Sequence, residues 1–304
     1  MRGCTARALL SACCLLALCW ADEEECDFAR VDASTWFWWS FRIGDCTSLK
    51  LNNHSLGLRG TAALARALRG NTELRELKLE RCSVGAQGAT ALASVLASTK
   101  IEKLDLENNG IGFDGAVALA QAMPSAPVNE LDLEDNEILD GGAIAFAEAL
   151  SDKESSLVSL DIENNAIGDS GIAALAGALR KNSVLEELDL HGNQAGSKAL
   201  RALASALVAN RKLTRLSLPA PHPLASVRVR RFQGTLLRLI ERLVSANEDG
   251  ATRAKKKALS ARVWRQERTA KRRQRISRKP RGGRGKRRAR GKDRKGPGRG
   301  FMRL

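Results

Sequence analysis

The sequence predicts an α/β solenoid, with a parallel inner sheet, outer helices and a disordered basic C-terminal tail. Three observations predict it. Leucines recur at Leu49, Leu77, Leu104, Leu131, Leu160, Leu188 and Leu216, with spacings of 28, 27, 27, 29, 28 and 28 residues, and a fixed period of that size marks stacked supersecondary units. Within each period the apolar spacing changes from two residues to about four, from strand to helix. The composition fits as well: 43% of the residues are hydrophobic, yet aromatics make up only 4% and tyrosine is absent. Leu, Ala, Ile and Val suit many small units better than one large core.

Residues 1–21 read as a secretory signal peptide. Arg2 and Arg7 precede an uncharged run from Ala8 to Ala21, and small residues at Cys19 and Ala21 lie before the acidic stretch Asp22-Glu-Glu-Glu25. The apolar run is shorter than the roughly 20 residues a membrane span requires. Residues 22–45 carry Trp36-Phe-Trp-Trp39-Ser-Phe41, three of the five tryptophans. A solenoid exposes the apolar end of its first unit and needs a cap there, so this segment is expected to plug the first rung. Cys26 and Cys46 flank it. Two readings of Cys46 stand: a cap disulfide with Cys26, or a buried apolar side chain opening its rung. Asn53-His-Ser55 is an acceptor triplet for N-glycosylation, expected at an exposed strand edge.

Between 46 and 218 lie about six to seven repeats. The clearest reads Ile101…Leu104-Asp105-Leu106-Glu107-Asn108-Asn109-Gly110-Ile111. A short strand places its leucines inward, and the Asn that follows can satisfy turning backbone groups with its amide. A helical stretch such as Gly115-Ala-Val-Ala-Leu119-Ala-Gln-Ala-Met123 then completes the unit, with its large apolar residues four apart on one face. Cys82 takes the Asn position of its rung and is expected to be a free buried thiol. One unit cannot bury both its strand and its helix leucines, so neighbours must stack.

The pattern Leu-x-x-Leu-x-Leu-x-x-Asn followed by Gly-Ala-x-Ala-Leu-Ala-x-Ala-Leu resembles the ribonuclease-inhibitor-like subfamily of leucine-rich repeat proteins. The resemblance covers 46–218 and implies a leucine-rich repeat horseshoe that works by binding a protein partner. Members of the subfamily bind many partners, so the partner has to be sought in the side chains that this chain presents.

Those on the concave face lie beside the buried leucines. One column runs Lys50, Lys78, Asp105, Asp132, Asp161, Asp189, Ser217, and the next Asn52, Glu80, Glu107, Glu134, Glu163, His191, Pro219. Asp105, Glu107, Asp132, Glu134, Asp161, Glu163, Asp189 and His191 are therefore the candidate partner-binding residues. A continuous acidic stripe favours a basic partner. The Asp column alone also fits inherited repeat consensus. The carboxylates form a row, not an oxygen cage, and no segment has calcium-loop spacing, so no metal site is read. No catalytic residue is read either: His54, His191 and His222 are the only histidines, and none has a nucleophile placed to complete a triad. Neither a phosphate loop nor zinc-spaced cysteines occur, and no cofactor or small-molecule substrate is expected.

After Leu218 the run Pro219-Ala-Pro-His-Pro223 stops the strand pattern. Within 219–250, Leu236, Leu237, Ile240, Leu243 and Val244 recur at helical spacing, which predicts an amphipathic capping helix over about 232–247. The net charge of +16 hides a division at this point. Residues 251–304 hold 24 Lys/Arg against Glu267 and Asp293, whereas the remaining 250 residues are net acidic. Ala254 to Arg275 can form transient helix, but Pro280 and the Gly/Arg/Lys mixture beyond it have almost nothing to bury, so the tail is expected to be disordered. Its Lys255, Lys256, Lys257, Arg272, Arg273, Arg287 and Arg288 are the candidate contacts to a polyanion, whether nucleic acid, sulfated polysaccharide or anionic lipid, through counterion release.

These readings converge on a secreted or endomembrane-lumen, non-enzymatic interaction protein. Two alternatives stand beside it: a nuclear or nucleolar RNA-associated protein that keeps residues 1–21, and a repeat protein that regulates an enzyme as an inhibitor or GTPase activator.

Overall fold

The computed structural model describes residues 25–27, 46–219, 227–250 and 255–261. Three-residue strands alternate with helices in chain order: β1 (Glu25–Asp27), β2 (Ser48–Lys50), α1 (Gly57–Leu68), β3 (Glu76–Lys78), α2 (Gly85–Leu96), β4 (Lys103–Asp105), α3 (Gly112–Ala122), β5 (Glu130–Asp132), α4 (Leu139–Ser151), β6 (Ser159–Asp161), α5 (Asp169–Leu179), β7 (Glu187–Asp189), α6 (Ser197–Leu207), β8 (Arg215–Ser217) and α7 (Val227–Glu248). The strands form one parallel sheet in sequence order. Neighbouring strands with no crossing connection are what an α/β leucine-repeat solenoid requires, and the fold is of that class.

The recurring leucine sets the register. Leu49, Leu77, Leu104, Leu131, Leu160, Leu188 and Leu216 face one another on successive strands. All but Leu216 are buried. Leu216 lies on the last strand, where no further rung covers it. A slip of one residue would turn this entire row outward, so burial fixes the pairing strongly. From the helix side, Leu64, Leu92, Leu119, Phe146, Leu175 and Leu203 close the same core. Helices pack closely because their contact points are small: a Cβ on Gly115 would sit 3.0 Å from the Ala86 Cα and 2.6 Å from the Ile111 side chain.

Turns between strand and helix are held by an asparagine ladder. Asn136 Oδ1 accepts the Asn109 and Ile111 amides at 3.0 and 3.2 Å, while its Nδ2 donates to the Leu106 and Glu134 carbonyls at 2.8 and 2.9 Å. Asn109, Asn165 and Asn193 repeat this arrangement one rung apart. Each amide joins its own turn to the preceding one, so the turns are cross-linked along the stack. Cys82 occupies the same position as a buried free thiol, donating from Sγ to the Leu51 carbonyl at 2.9 Å. Burial pushes its pKa up to about 11, which keeps it the protonated donor that the position needs. A second link between repeats runs along the helix starts. Asp140 Oδ1 accepts the Gly168 and Gly171 amides at 2.7 and 3.0 Å, and Asp169 Oδ1 accepts those of Gly196 and Ala199 at 2.8 and 3.2 Å. Helices α4 and α5 thus each supply the cap of the next helix, satisfying amides that have no partner within their own first turn.

Beyond the last strand, α7 packs against α6 and buries Leu236, Leu239, Ile240, Leu243 and Val244. This helix is longer than the 232–247 segment marked by the apolar spacing, and Leu239, not Leu237, lies in its buried row. One element has no counterpart in the sequence reading, and another is ordered where only transient helix is expected. β1 adds a strand before the first leucine rung, with Cys26 opposite Leu49. Residues 255–261 form a further helical turn, within the segment read as tail. The expected signal peptide, the aromatic cluster at 36–41 and the tail beyond 261 lie outside the described residues.

Candidate functional site

The face of the sheet opposite the helices displays the residues on either side of each buried leucine. Strand register places Lys78, Asp105, Asp132, Asp161, Asp189 and Ser217 side by side on consecutive strands. The second column, through Glu80, Glu107, Glu134, Glu163 and His191, follows at the strand ends.

Asp and Glu in this stripe play different parts. Each aspartate turns one oxygen back to its own backbone: Asp105, Asp132, Asp161 and Asp189 accept the amides of Glu107, Glu134, Glu163 and His191 at 3.2, 3.0, 2.9 and 2.8 Å. The Asp column therefore shapes the strand ends as well as charging them. Burial raises the Asp105 and Asp161 carboxyls, and neighbouring carboxylates add to it. The effect peaks at Asp132, where burial and then the charges of Asp161, Asp105 and Glu107 lift the pKa to about 7 against an ordinary 3.8. Glu107 and Glu134 are raised too, by burial and by the acids on either side.

Cations hold the edges of the stripe and leave its centre open. Arg81 pairs with Glu80 at 2.5 Å and Glu107 at 3.1 Å. His191 Nδ1 lies 2.8 Å from Glu163, whose hydrogen bond and charge raise the imidazole pKa. Among the described residues, Glu134 has no ion pair, and Asp132 has only its backbone bond.

The sequence reading missed a third column on this face: Ser48, Glu76, Lys103, Glu130, Ser159, Glu187 and Arg215, which the strand pairing aligns. Its charges compensate one another. Lys103 meets Glu130 at 2.9 Å, Arg215 meets Glu187 at 2.5 Å, and Lys78 of the neighbouring column meets Glu76 at 3.0 Å. Burial works to raise Glu76, but the Ser48 hydroxyl and Lys78 overcome it and hold the pKa below the usual value. A shallow depression of about 300 Å³ crosses these strands, lined by Lys78, Lys103, Asp105, Glu130, Asp132 and Asp161. The two-residue strand period that located the other columns would have located this one, two positions earlier.

The Leucine Rich repeat family matches residues 70–93, 97–120, 125–147 and 154–176. The chain carries leucine-rich repeats. No curated protein matches it. Solved structures resemble it in part, two of them as follows. One is leiomodin-1 actin-binding site 2, at 22% identity and a TM-score of 0.43, covering 62% of this chain and 96% of that one. The other is the tropomodulin C-terminal domain of Caenorhabditis elegans, at 16% identity and a TM-score of 0.39, covering 53% and 93%.

The remaining sequence-derived sites fall outside the repeat face. Asn53 is exposed in the turn after β2, in a left-handed conformation with φ of 65°. Cys46 is buried and disulfide-bonded; the side chain of Cys26 lies outside the described residues. Of the proposed polyanion contacts, Lys255 and Lys257 are exposed, whereas Lys256 is buried and turned into the body. Arg272, Arg273, Arg287 and Arg288 lie outside the described residues. No metal-ligating cluster occurs among the described residues, and no described helix is long and apolar enough to cross a membrane.

Asp132 gives the repeat face a measurable pH signature. Its pKa is about 7 in the fold and near 3.8 in the unfolded chain. The folded state therefore holds the extra proton between those values. The stability from that proton is complete below pH 3.8 and is lost as pH rises through 7. Asp132→Asn keeps an oxygen for the Glu134 amide and removes the charge. At pH 8 the variant is expected to be more stable than the parent by about 1–2 kcal/mol, a value discounted for partial solvation of the carboxylate. The difference should shrink toward zero near pH 4 in urea unfolding. A difference that does not vary with pH would show that Asp132 is not held near 7.

Proposed function

We propose that this chain is a non-enzymatic protein-interaction scaffold of the ribonuclease-inhibitor-like kind, whose acidic sheet face receives a basic segment of a protein partner. The observation that carries the reading is the unpaired centre of the stripe. Glu80 and Glu107 share Arg81 and Glu163 has His191, whereas among the described residues Asp132 and Glu134 stand among like charges with no ion pair. Crowded carboxylates without counter-charge raise one another's proton affinity, and an incoming Arg or Lys relieves that repulsion. The period of 27–29 residues and the helix in every repeat support the subfamily. The basic tail is proposed as a second attachment, to a polyanion or an anionic membrane surface. The compartment proposed is the secretory one, in which a disulfide such as that of Cys46 persists. Cys26 is its proposed partner, and Asp22 the expected mature N-terminus.

The test uses a fluorescent Lys/Arg-rich 12-residue peptide as probe. Full-length protein with Glu107→Gln, Glu134→Gln and Glu163→Gln combined should bind it at least tenfold more weakly than the parent, with a shallower salt dependence. Equal affinity would refute the acidic face as the binding surface.

A further inference from the structure

Lys256 stands apart from the other bases at the start of the tail. On the 255–261 helix, Lys255 and Lys257 are exposed, while Lys256 retains only 1% of its surface. Leu259 is half-buried and Ser260 is buried, so positions i, i+3 and i+4 form one inward row. A run of like charges solvated on all sides would not show such a row.

The Lys256 ammonium has three donors, and all three find oxygens. Nζ donates to the Asn210 carbonyl at 2.7 Å, to the Leu207 carbonyl at 3.2 Å and to Asn247 Oδ1. Leu207 ends α6 and Asn210 follows it. The last carbonyls of a helix have no acceptor role within it, and the helix dipole favours a cation at that end. Asn247, near the end of α7, also donates from Nδ2 to the Leu213 carbonyl at 2.6 Å, on the approach to β8. Asn210 in turn donates to the Leu179 carbonyl at 2.8 Å, in the preceding repeat. One lysine side chain thus closes a polar junction joining α6, α7 and the last strand.

Among the described residues, no carboxylate takes part. Burial, with a contribution from Arg211, brings the Lys256 pKa down to about 8, so the site is costly for a cation and is held by oxygens alone. An unpaired buried ammonium is unfavourable unless its hydrogen bonds are satisfied, and here they are.

We propose that residues 255–261 are the terminal element of the folded body, latched by the Lys256 ammonium onto the C-terminal end of α6. The latch withdraws Lys256 from solution, so that this base is not available to a polyanion. The inference does not depend on what the acidic face binds.

Hydrogen–deuterium exchange on the full-length protein tests it. In the parent, the amides of 255–261 should exchange at least tenfold more slowly than those of an unstructured chain. Lys256→Met, which keeps the length and removes the ammonium, should abolish that protection and speed exchange over 207–213, while Lys257→Met leaves both unchanged. Slow exchange in α2 to α5 of the same sample verifies that each variant is folded. Unprotected 255–261 amides in the parent would overturn the proposal, and so would protection that survives Lys256→Met.

Discussion

Asn136→Ala should cost the repeat body about 3–5 kcal/mol, a loss matched among its polar side chains only by the equivalent Asn165. Asn136 is fully buried. Its amide answers two backbone N–H groups and two carbonyls from two successive turns. Alanine removes all four bonds and leaves the partners buried in a turn that water enters poorly, and each such orphaned group costs about 1–3 kcal/mol before relaxation. For a body of this size the thermal midpoint should fall by roughly 10 °C. The protein contains its own control. Cys82 shows that a thiol can stand in this position when it donates to a carbonyl, so Asn136→Cys should recover part of the loss. Urea unfolding of parent, Asn136→Ala and Asn136→Cys gives the order directly. A loss below about 1 kcal/mol for Asn136→Ala would mean that solvent replaces the ladder at little cost.

The leucine and asparagine ladders were legible in the sequence because burial leaves few options. A strand position facing the core accepts a large aliphatic side chain, and the turn accepts a short side chain that can hydrogen-bond backbone groups. Both restrictions recur every 27–29 residues and so become visible as a period. Even the exception at Cys82 could be read, since its place in the period identified its task. The acidic columns were legible for a related reason. Asp105, Asp132, Asp161 and Asp189 repeat because each accepts the amide two residues on.

Other features left no such trace. The column Ser48, Glu76, Lys103, Glu130, Ser159, Glu187, Arg215 varies in type because its solvent-facing residues answer only to their cross-strand neighbours. Its charge balance appears only when the strands are paired. β1 is three polar or cysteine residues without the leucine that marks a rung, so no period reaches it. Asp140 and Asp169 lie 29 residues apart at helix starts, a spacing that could have suggested a capping series, but the amides they satisfy belong to the following repeat. Lys256 is chemically identical to the lysines on either side, and only Leu259 and Ser260, three and four residues on, hint that this one faces inward. Composition could describe the tail as a whole, not the one base within it that has become part of the core.

That distinction determines how the strongest binding prediction has to be tested. Residues 251–304 carry 24 Lys/Arg and two acids. If six to ten of these bases contact a polyanion at once, affinity should fall by about three to five decades between 50 and 200 mM salt, with log K nearly linear in log salt. Removing the tail should therefore weaken binding to heparin or to RNA by at least a hundredfold near 100 mM salt, and should flatten the salt slope. The truncation belongs after Ala261. A chain cut at Gly250 would also lose the Lys256 junction, exposing the α6 carbonyls and confounding loss of charge with damage to the body. Heparin, RNA of unrelated sequences and vesicles rich in anionic lipid should all be bound, ordered by charge density, because counterion release reads charge and not sequence. If the chain ending at Ala261 keeps the affinity and salt slope of the full-length protein, the tail is not the attachment. Binding would then have to come from the cations on the body, such as Lys50, Lys78 and Arg75, which lie toward the N-terminal end of the repeats and away from the acidic centre.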